Sequence, residues 1–307
     1  MLTFGLFGTG HWAAEVHAAA LAGHPGARLG GVWGRDPAKA AALAERYGVP
    51  AFSDADALIG AVEAVAVALP PDVQADLAVR AATAGRHLLL DKPLALSLPD
   101  ADRVVQAAGQ SGVASVVFFT NRFRPAIASF LASAAATGGW HGARGVTYAS
   151  IFQPGNPYGG SAWRREHGAL WDVGPHALSL VLPVLGPVTR VAAMAGPRGS
   201  VHLTLAHGDA ATSTLSLALD APPASTTVEL LFHGEEGIDV LPRREGTPVD
   251  ALRLAVGQLC TEVDTGTRDQ QCDVRFGRDV VAVLAAAQTA REQGRTVGLP
   301  AGTGVTG

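Results

Sequence analysis

The chain has 307 residues, 48% hydrophobic and 16% charged, with a formal net charge of −4. That length suits two domains or one large α/β domain, and that composition supports a sizeable core, which excludes disordered and fibrous chains. No block of like charge offers a footprint for nucleic acid, and two cysteines, Cys260 and Cys272, make neither a disulfide framework nor a metal site, which suits a reducing compartment.

Residues 2–7 form a short apolar run with no cationic leader, expected to be a first strand and not a signal peptide. Helical spacing follows at 11–22, an apolar run at 27–33 and helical spacing again at 37–47. A β-branched run at 62–69 is broken by Pro70-Pro71, and a helix over 72–84 stops at Gly85. An apolar run at 87–90, a helix at 99–111 and a strand at 113–120 complete the alternation. Such alternation predicts an α/β Rossmann domain over residues 1–120, a doubly wound parallel sheet with helices on both faces. From residue 121 the pattern changes. Short β-like runs at 146–152, 188–195, 201–206, 212–219 and 226–232 are joined by Gly/Pro turns, and helical patterns at 252–263 and 279–293 close the chain. An α+β domain over 121–300 is expected, with residues 301–307 as a loose Gly/Thr-rich tail. No apolar run reaches the ~18 residues of a membrane span, so no membrane partner and a cytoplasmic location are expected.

The turn after the first strand reads Gly8-Thr9-Gly10-His11-Trp12-Ala13, which fits Gly-x-Gly-x-x-Gly/Ala. The first glycine permits the tight turn, the second lets backbone approach a pyrophosphate, and the small third residue lets helix pack on strand. Exposed N–H groups at the helix start attract phosphate. The motif alone is weak; its place between a first strand and a helix raises it. An NAD site usually carries an acid at the end of the second strand. Here that region reads Gly34-Arg35-Asp36-Pro37, so Arg35 is placed to grip a 2′-phosphate and NADP is favoured over NAD. Asp36 before Pro37 reads as a helix cap.

Lysine occurs twice, at Lys39 and Lys92; the rest of the 23 basic residues are arginines. Lys92, in Asp91-Lys92-Pro93 after the run at 87–90, falls at the carboxyl edge of the predicted sheet, where ligands bind. A lysine ammonium is compact and loses its proton when partly buried, which a guanidinium does not. Later, Asp172 and His176 stand four apart, on one face if helical, and Pro175 suits a first helical turn. A histidine near an acid is a general acid/base; a core histidine with a capping aspartate is the plainer alternative, and no metal set is completed.

Together these pieces resemble the glucose–fructose oxidoreductase / inositol dehydrogenase (Gfo/Idh/MocA) family of NAD(P)-dependent oxidoreductases. The resemblance runs from Leu2 to about Pro300 and rests on motif order: Gly8–Ala13, Gly34-Arg35-Asp36-Pro37, Leu69-Pro70-Pro71, Ala84-Gly85-Arg86-His87, Asp91-Lys92-Pro93, Asn121-Arg122-Phe123-Arg124-Pro125, Trp163-Arg164 and 170–176. It implies that Lys92 contacts substrate and nicotinamide ribose, that His176 is the acid/base with Asp172 beside it, and that a second, mainly antiparallel open sheet completes the site. Gly8, Thr9, Gly10, His11, Trp12, Gly34, Arg35, Leu69, Pro70, Pro71 and Asp91 are then expected at the cofactor. Asn121, Arg122, Phe152, Trp163, Arg164 and His167 are expected at the substrate, a sugar, polyol or cyclic alcohol. A homodimer or homotetramer is implied. Departures from the pattern are Asp91 for glutamate, Gln74 for histidine, His167-Gly168 for a triple-glycine turn and Ser179 for aspartate. Two other functions remain open: a non-catalytic NADP(H) sensor, and a C=C or C=N reductase on the same scaffold.

Overall fold

Strand β1 (Leu2–Phe7) is buried at every position, as a strand covered on both faces must be. It lies inside a six-stranded sheet of order β3-β2-β1-β4-β5-β6, in which every neighbouring pair is parallel. The other strands are β2 (Ala27–Trp33), β3 (Ala51–Phe52), β4 (Ala64–Val67), β5 (His87–Asp91) and β6 (Ser115–Phe118). The order reverses between β1 and β4, the switch point at which doubly wound sheets open a crevice beyond their carboxyl ends. This computed structural model describes residues 1–300.

The helix predicted over 11–22 is present but unevenly wound: Ala13–Ala18 is a π-helix that continues as α1 (Ala19–Ala22). Helix α2 (Pro37–Tyr47) is capped by Asp36, whose carboxylate accepts from the amides of Ala38 and Lys39. Helices α3 (Ala55–Ala61), α4 (Pro71–Thr83) and α5 (Leu98–Ser111) complete the crossovers. The two-residue β3 and the short α3 have too little periodicity to be read from sequence, and neither was expected.

The chain forms two units, Met1–Phe123 with Gly246–Arg278, and Arg124–Glu245 with the chain from Asp279 onward. This corrects the expected second domain of 121–300, because residues 246–278 return to the first unit. The cause is packing. Helix α9 (Pro248–Thr265) buries Ala251, Leu252, Ala255, Val256 and Leu259 as one stripe and packs on α1, the π-helix and β6. The loop after it is sewn to β6: the Val117 amide donates to the Cys272 carbonyl at 2.7 Å, and the Val274 amide to Ser115 Oγ at 3.2 Å.

The second unit holds a seven-stranded sheet of order β12-β11-β7-β10-β9-β8-β13. Its strands are β7 (Trp140–Tyr148), β8 (Arg190–Ala195), β9 (Val201–His207), β10 (Ala211–Ala218), β11 (Thr227–Gly234), β12 (Gly237–Val240) and β13 (Val297–Gly298). All pairs are antiparallel except β7 with β10. Strand β7 starts six residues before the expected 146 and ends before 152. Gly142 and Gly145 interrupt its apolar pattern, and a Cβ on Gly142 would collide with the Thr212 carbonyl oxygen of β10.

Helices α6 (Pro125–Thr137), α7 (Ala162–Asp172) and α8 (Gly174–Leu185) belong to this unit, α7 and α8 lying against the sheet. The segment Ala162–Leu185 has the length and mean hydropathy of a membrane span, but 67% of its apolar window is buried within the fold and Gly168 breaks its helix. It therefore reads as core. Helix α10 (Val274–Gln293) starts in the first unit and continues in the second. The expected tail at 301–307 lies outside the described residues.

Candidate functional site

Topology alone gathers the residues of the first unit. Gly8–Trp12 follow β1, Gly34 and Arg35 follow β2, Leu69–Pro71 follow β4, Asp91 and Lys92 end β5, and Asn121 follows β6. All stand at the carboxyl edge of one parallel sheet. Gly8 has φ 131°, and a Cβ there would strike the Ala68 carbonyl oxygen, so both the turn and the approach of β4 demand glycine. Gly10 is different: an added Cβ would meet no protein atom within 4 Å. Protein packing does not require that glycine; a ligand lying close on the backbone would. The residues present therefore fit a dinucleotide pyrophosphate at this turn. Arg35 is exposed beside it, and no acid ends β2.

Trp12 is half-buried and stacks on Phe118 with 6.4 Å between ring centroids. Arg122, which had been expected at the substrate, donates to Gln271 at 2.8 Å and lies over the Phe276 ring, both within the first unit.

The turn bearing Lys92 is held from three sides. Gln74 of α4, 1% exposed, donates through Nε2 to the carbonyls of Asp91 (2.7 Å) and Pro93 (3.0 Å) and accepts from the Asp91 amide at 2.8 Å. Asp91 Oδ1 accepts from the Lys92 amide at 2.9 Å, and its Oδ2 lies 3.6 Å from Nε2 of the fully buried His17. Burial pushes the Asp91 carboxyl up, but His17 and the Lys92 ammonium and amide outweigh it and hold it below the ordinary carboxylate value.

The second unit carries the other candidates. Asp172, 5% exposed, ends α7; Val173 keeps right-handed helical angles, so the four-residue spacing to His176 survives into α8. Pro175 lies in the first turn of α8, as expected. Asp172 Oδ2 accepts from Arg164 Nε at 2.9 Å, and that guanidinium lies 4.8 Å from the Trp163 ring centroid and 5.0 Å from that of Tyr158. Arg164 and Trp163 are thus built around the Asp172 carboxylate. Ser179 donates back to the His176 carbonyl at 2.8 Å. His167 directly precedes Gly168, whose φ of 65° turns the chain out of helix. Phe152 lies under Arg165 at 4.7 Å.

Residues 2–119 match the family model described as the GFO_IDH_MocA oxidoreductase family, NAD-binding Rossmann fold. Residues 2–119 are thus similar to the nucleotide-binding domain of the Gfo/Idh/MocA family. Inositol 2-dehydrogenase of Rhizobium meliloti is 36% identical over 126 residues, 40% of this chain and 37% of that enzyme. The chain thus aligns to little more than a third of the length of that relative. A longer alignment joins 83% of the chain to 88% of D-xylose 1-dehydrogenase (NADP(+)) 2 of Haloferax volcanii, at 26% identity. A crystal structure of a putative myo-inositol dehydrogenase from Sinorhizobium meliloti superposes with TM-score 0.85 over 98% of this chain and all of that one, at 20% identity, which shows a shared fold across both units.

Within this Gfo/Idh/MocA fold, two residues escaped sequence reasoning. His17 sits in an Ala-rich stretch, where a histidine looks like any other core residue. Gln74 was noted only as a departure from the family pattern, yet its side chain clamps the turn of Lys92. Its amide is a donor and acceptor in one group, which is what a backbone clamp needs.

Proposed function

We propose that this protein is an NAD(P)-dependent oxidoreductase that interconverts a secondary alcohol and a ketone on a sugar, polyol or cyclic alcohol. The observation that carries the proposal is the sheet edge itself: open space over Gly10, with Lys92 on a clamped turn at the same edge. The two curated relatives are named for inositol and D-xylose, which supports a polyhydroxylated substrate.

In this reading Gly8, Thr9, Gly10, His11, Trp12, Gly34, Leu69, Pro70, Pro71 and Asp91 hold the dinucleotide, with Arg35 reaching the adenosine ribose. The nicotinamide supplies the hydride acceptor or donor. Lys92 donates a hydrogen bond to the reacting oxygen and stabilises its developing charge. His176 takes the hydroxyl proton in the oxidation direction. Asp172, already paired with Arg164, orients that histidine. Asn121, Arg122, Phe152, Trp163, Arg164 and His167 are the residues proposed to line the substrate. The exposed guanidinium of Arg35, with no acid at the end of β2, favours NADP over NAD.

Titration with NADPH and NADH, followed by fluorescence or heat, tests the first step. Binding of one or both is expected, with NADPH the tighter. Reduction of NADP⁺ in the presence of a panel that includes myo-inositol and D-xylose tests the second. Failure of both nucleotides to bind would refute the whole assignment.

A further inference from the structure

His17 has no evident place in a purely structural account. It is fully buried, and neither ring nitrogen makes a hydrogen bond among the described residues. Its neighbours are aromatic: Phe118 meets it edge-on at 6.3 Å and Trp12 at 6.5 Å. A phenylalanine or leucine would fill that space without leaving two buried polar atoms unsatisfied. The segment that carries it, Ala13–Ala18, is wound as a π-helix, an irregularity that recurs at functional sites. The polar group that its ring faces is Asp91 Oδ2, at 3.6 Å, an ion pair when the imidazole holds its second proton.

Asp91 is in turn tied to Lys92. Its second oxygen accepts the Lys92 amide, while Gln74 fixes the backbone on either side. Backbone position is thus secured by Gln74. What His17 adds is a partner for the Asp91 carboxylate. The Lys92 ammonium already shares that carboxylate with His17, so without the imidazole more of the compensation falls on it and draws it toward Asp91.

We propose that His17 is a positioning residue for Lys92: by occupying the Asp91 carboxylate from inside the sheet, it leaves the Lys92 ammonium directed at the ligand edge. The inference rests on Lys92 serving the cofactor and substrate, as proposed above.

The composition supplies a clean test. With two lysines in the chain, 13C labelling at lysine Cε gives two side-chain signals, assigned by loss of one in K92M. Lys39 is 69% exposed on α2 and serves as an internal control. In the wild type, adding NADPH or NADH is expected to move the Lys92 signal and leave Lys39 in place. H17F keeps the ring packing and removes the polar contact; its Lys92 signal is expected to shift in the absence of nucleotide and to lose most of its response to nucleotide. H17Q, which retains a donor, is expected to restore both towards wild type. D91N and H17F/D91N, which lack the carboxylate that would draw Lys92 back, are expected to keep the Lys92 response to nucleotide, and H17L takes the place of H17F should that variant fail to fold. A wild-type Lys92 signal indifferent to both nucleotides would sink the functional assignment, whatever His17 does. A responsive wild type, with H17F (or H17L) leaving the Lys92 signal and its response unchanged, or with H17F/D91N as unresponsive as H17F, would overturn the positioning role alone.

Discussion

Two side chains carry opposite kinds of risk. Lys92 is held by its backbone, so its side chain can be exchanged without loosening the turn. K92M is expected to bind nucleotide more weakly by a small factor and to lose about 100-fold or more in turnover. K92R is expected to fare little better, since a guanidinium is larger and does not share the ammonium's point charge. Nucleotide titration beside turnover on the best alcohol separates the two effects. Arg164 is the reverse case, a side chain whose loss costs another a partner. The Asp172 side chain is 7% exposed and that of Arg164 20%, so R164M takes one charged hydrogen-bond donor from a buried carboxylate. Unfolding in urea should show a loss of roughly 1–3 kcal/mol, the range for removing one partner of a buried polar group.

The glycine turn after β1 shows how one element reads differently at two positions. G8A should destabilise the fold itself, because its φ of 131° excludes an L side chain and the Ala68 carbonyl occupies the space. G10A meets nothing in the protein, so its melting temperature is expected to stay at the wild-type value while affinity for NAD(P)H falls. Equal affinity in G10A would remove the pyrophosphate from this turn. Much of this was legible in sequence, because a parallel sheet writes itself as short apolar runs, and β1, β2, β4, β5 and β6 stand close to where those runs fall. The pairing of Asp36 with the first turn of α2 was equally plain. What was not legible depends on distance along the chain. Gln74 bonds to backbone groups 17 and 19 residues away, and no local pattern announces that. Helix α9 has an ordinary apolar stripe, and the stripe does not say which unit it covers. Strand β7 is hidden by its own glycines, placed where β10 comes too close for a side chain.

At the scale of the molecule, three histidines share one electrostatic fate. Burial lowers the pKa of His207, opposed in part by the Gly186 carbonyl; burial and Arg253 lower that of His24; burial and Arg268 lower that of His87. Each binds its proton less readily folded than unfolded, so acid favours the unfolded chain. Stability from these groups is complete above their unfolded pKa of about 6.5 and is lost as pH falls through their folded values. The urea midpoint should be lower at pH 5.5 than at pH 8, and H207Q should narrow the gap. The return of residues 246–278 to the first unit makes a second prediction. A fragment of residues 1–123 leaves the surface that α9 covers open and is expected to aggregate. The same fragment joined by a short linker to 246–278 should give a cooperative melt and bind nucleotide.

That discontinuity also sets an order of events during synthesis. A ribosome releases β1 to β6 early, yet the stripe of Ala251, Leu252, Ala255, Val256 and Leu259 that seals them is made only after 122 residues of the other unit. The first unit, begun before the other, cannot be sealed until most of the other has been made, and until then its apolar flank is a client surface for chaperones.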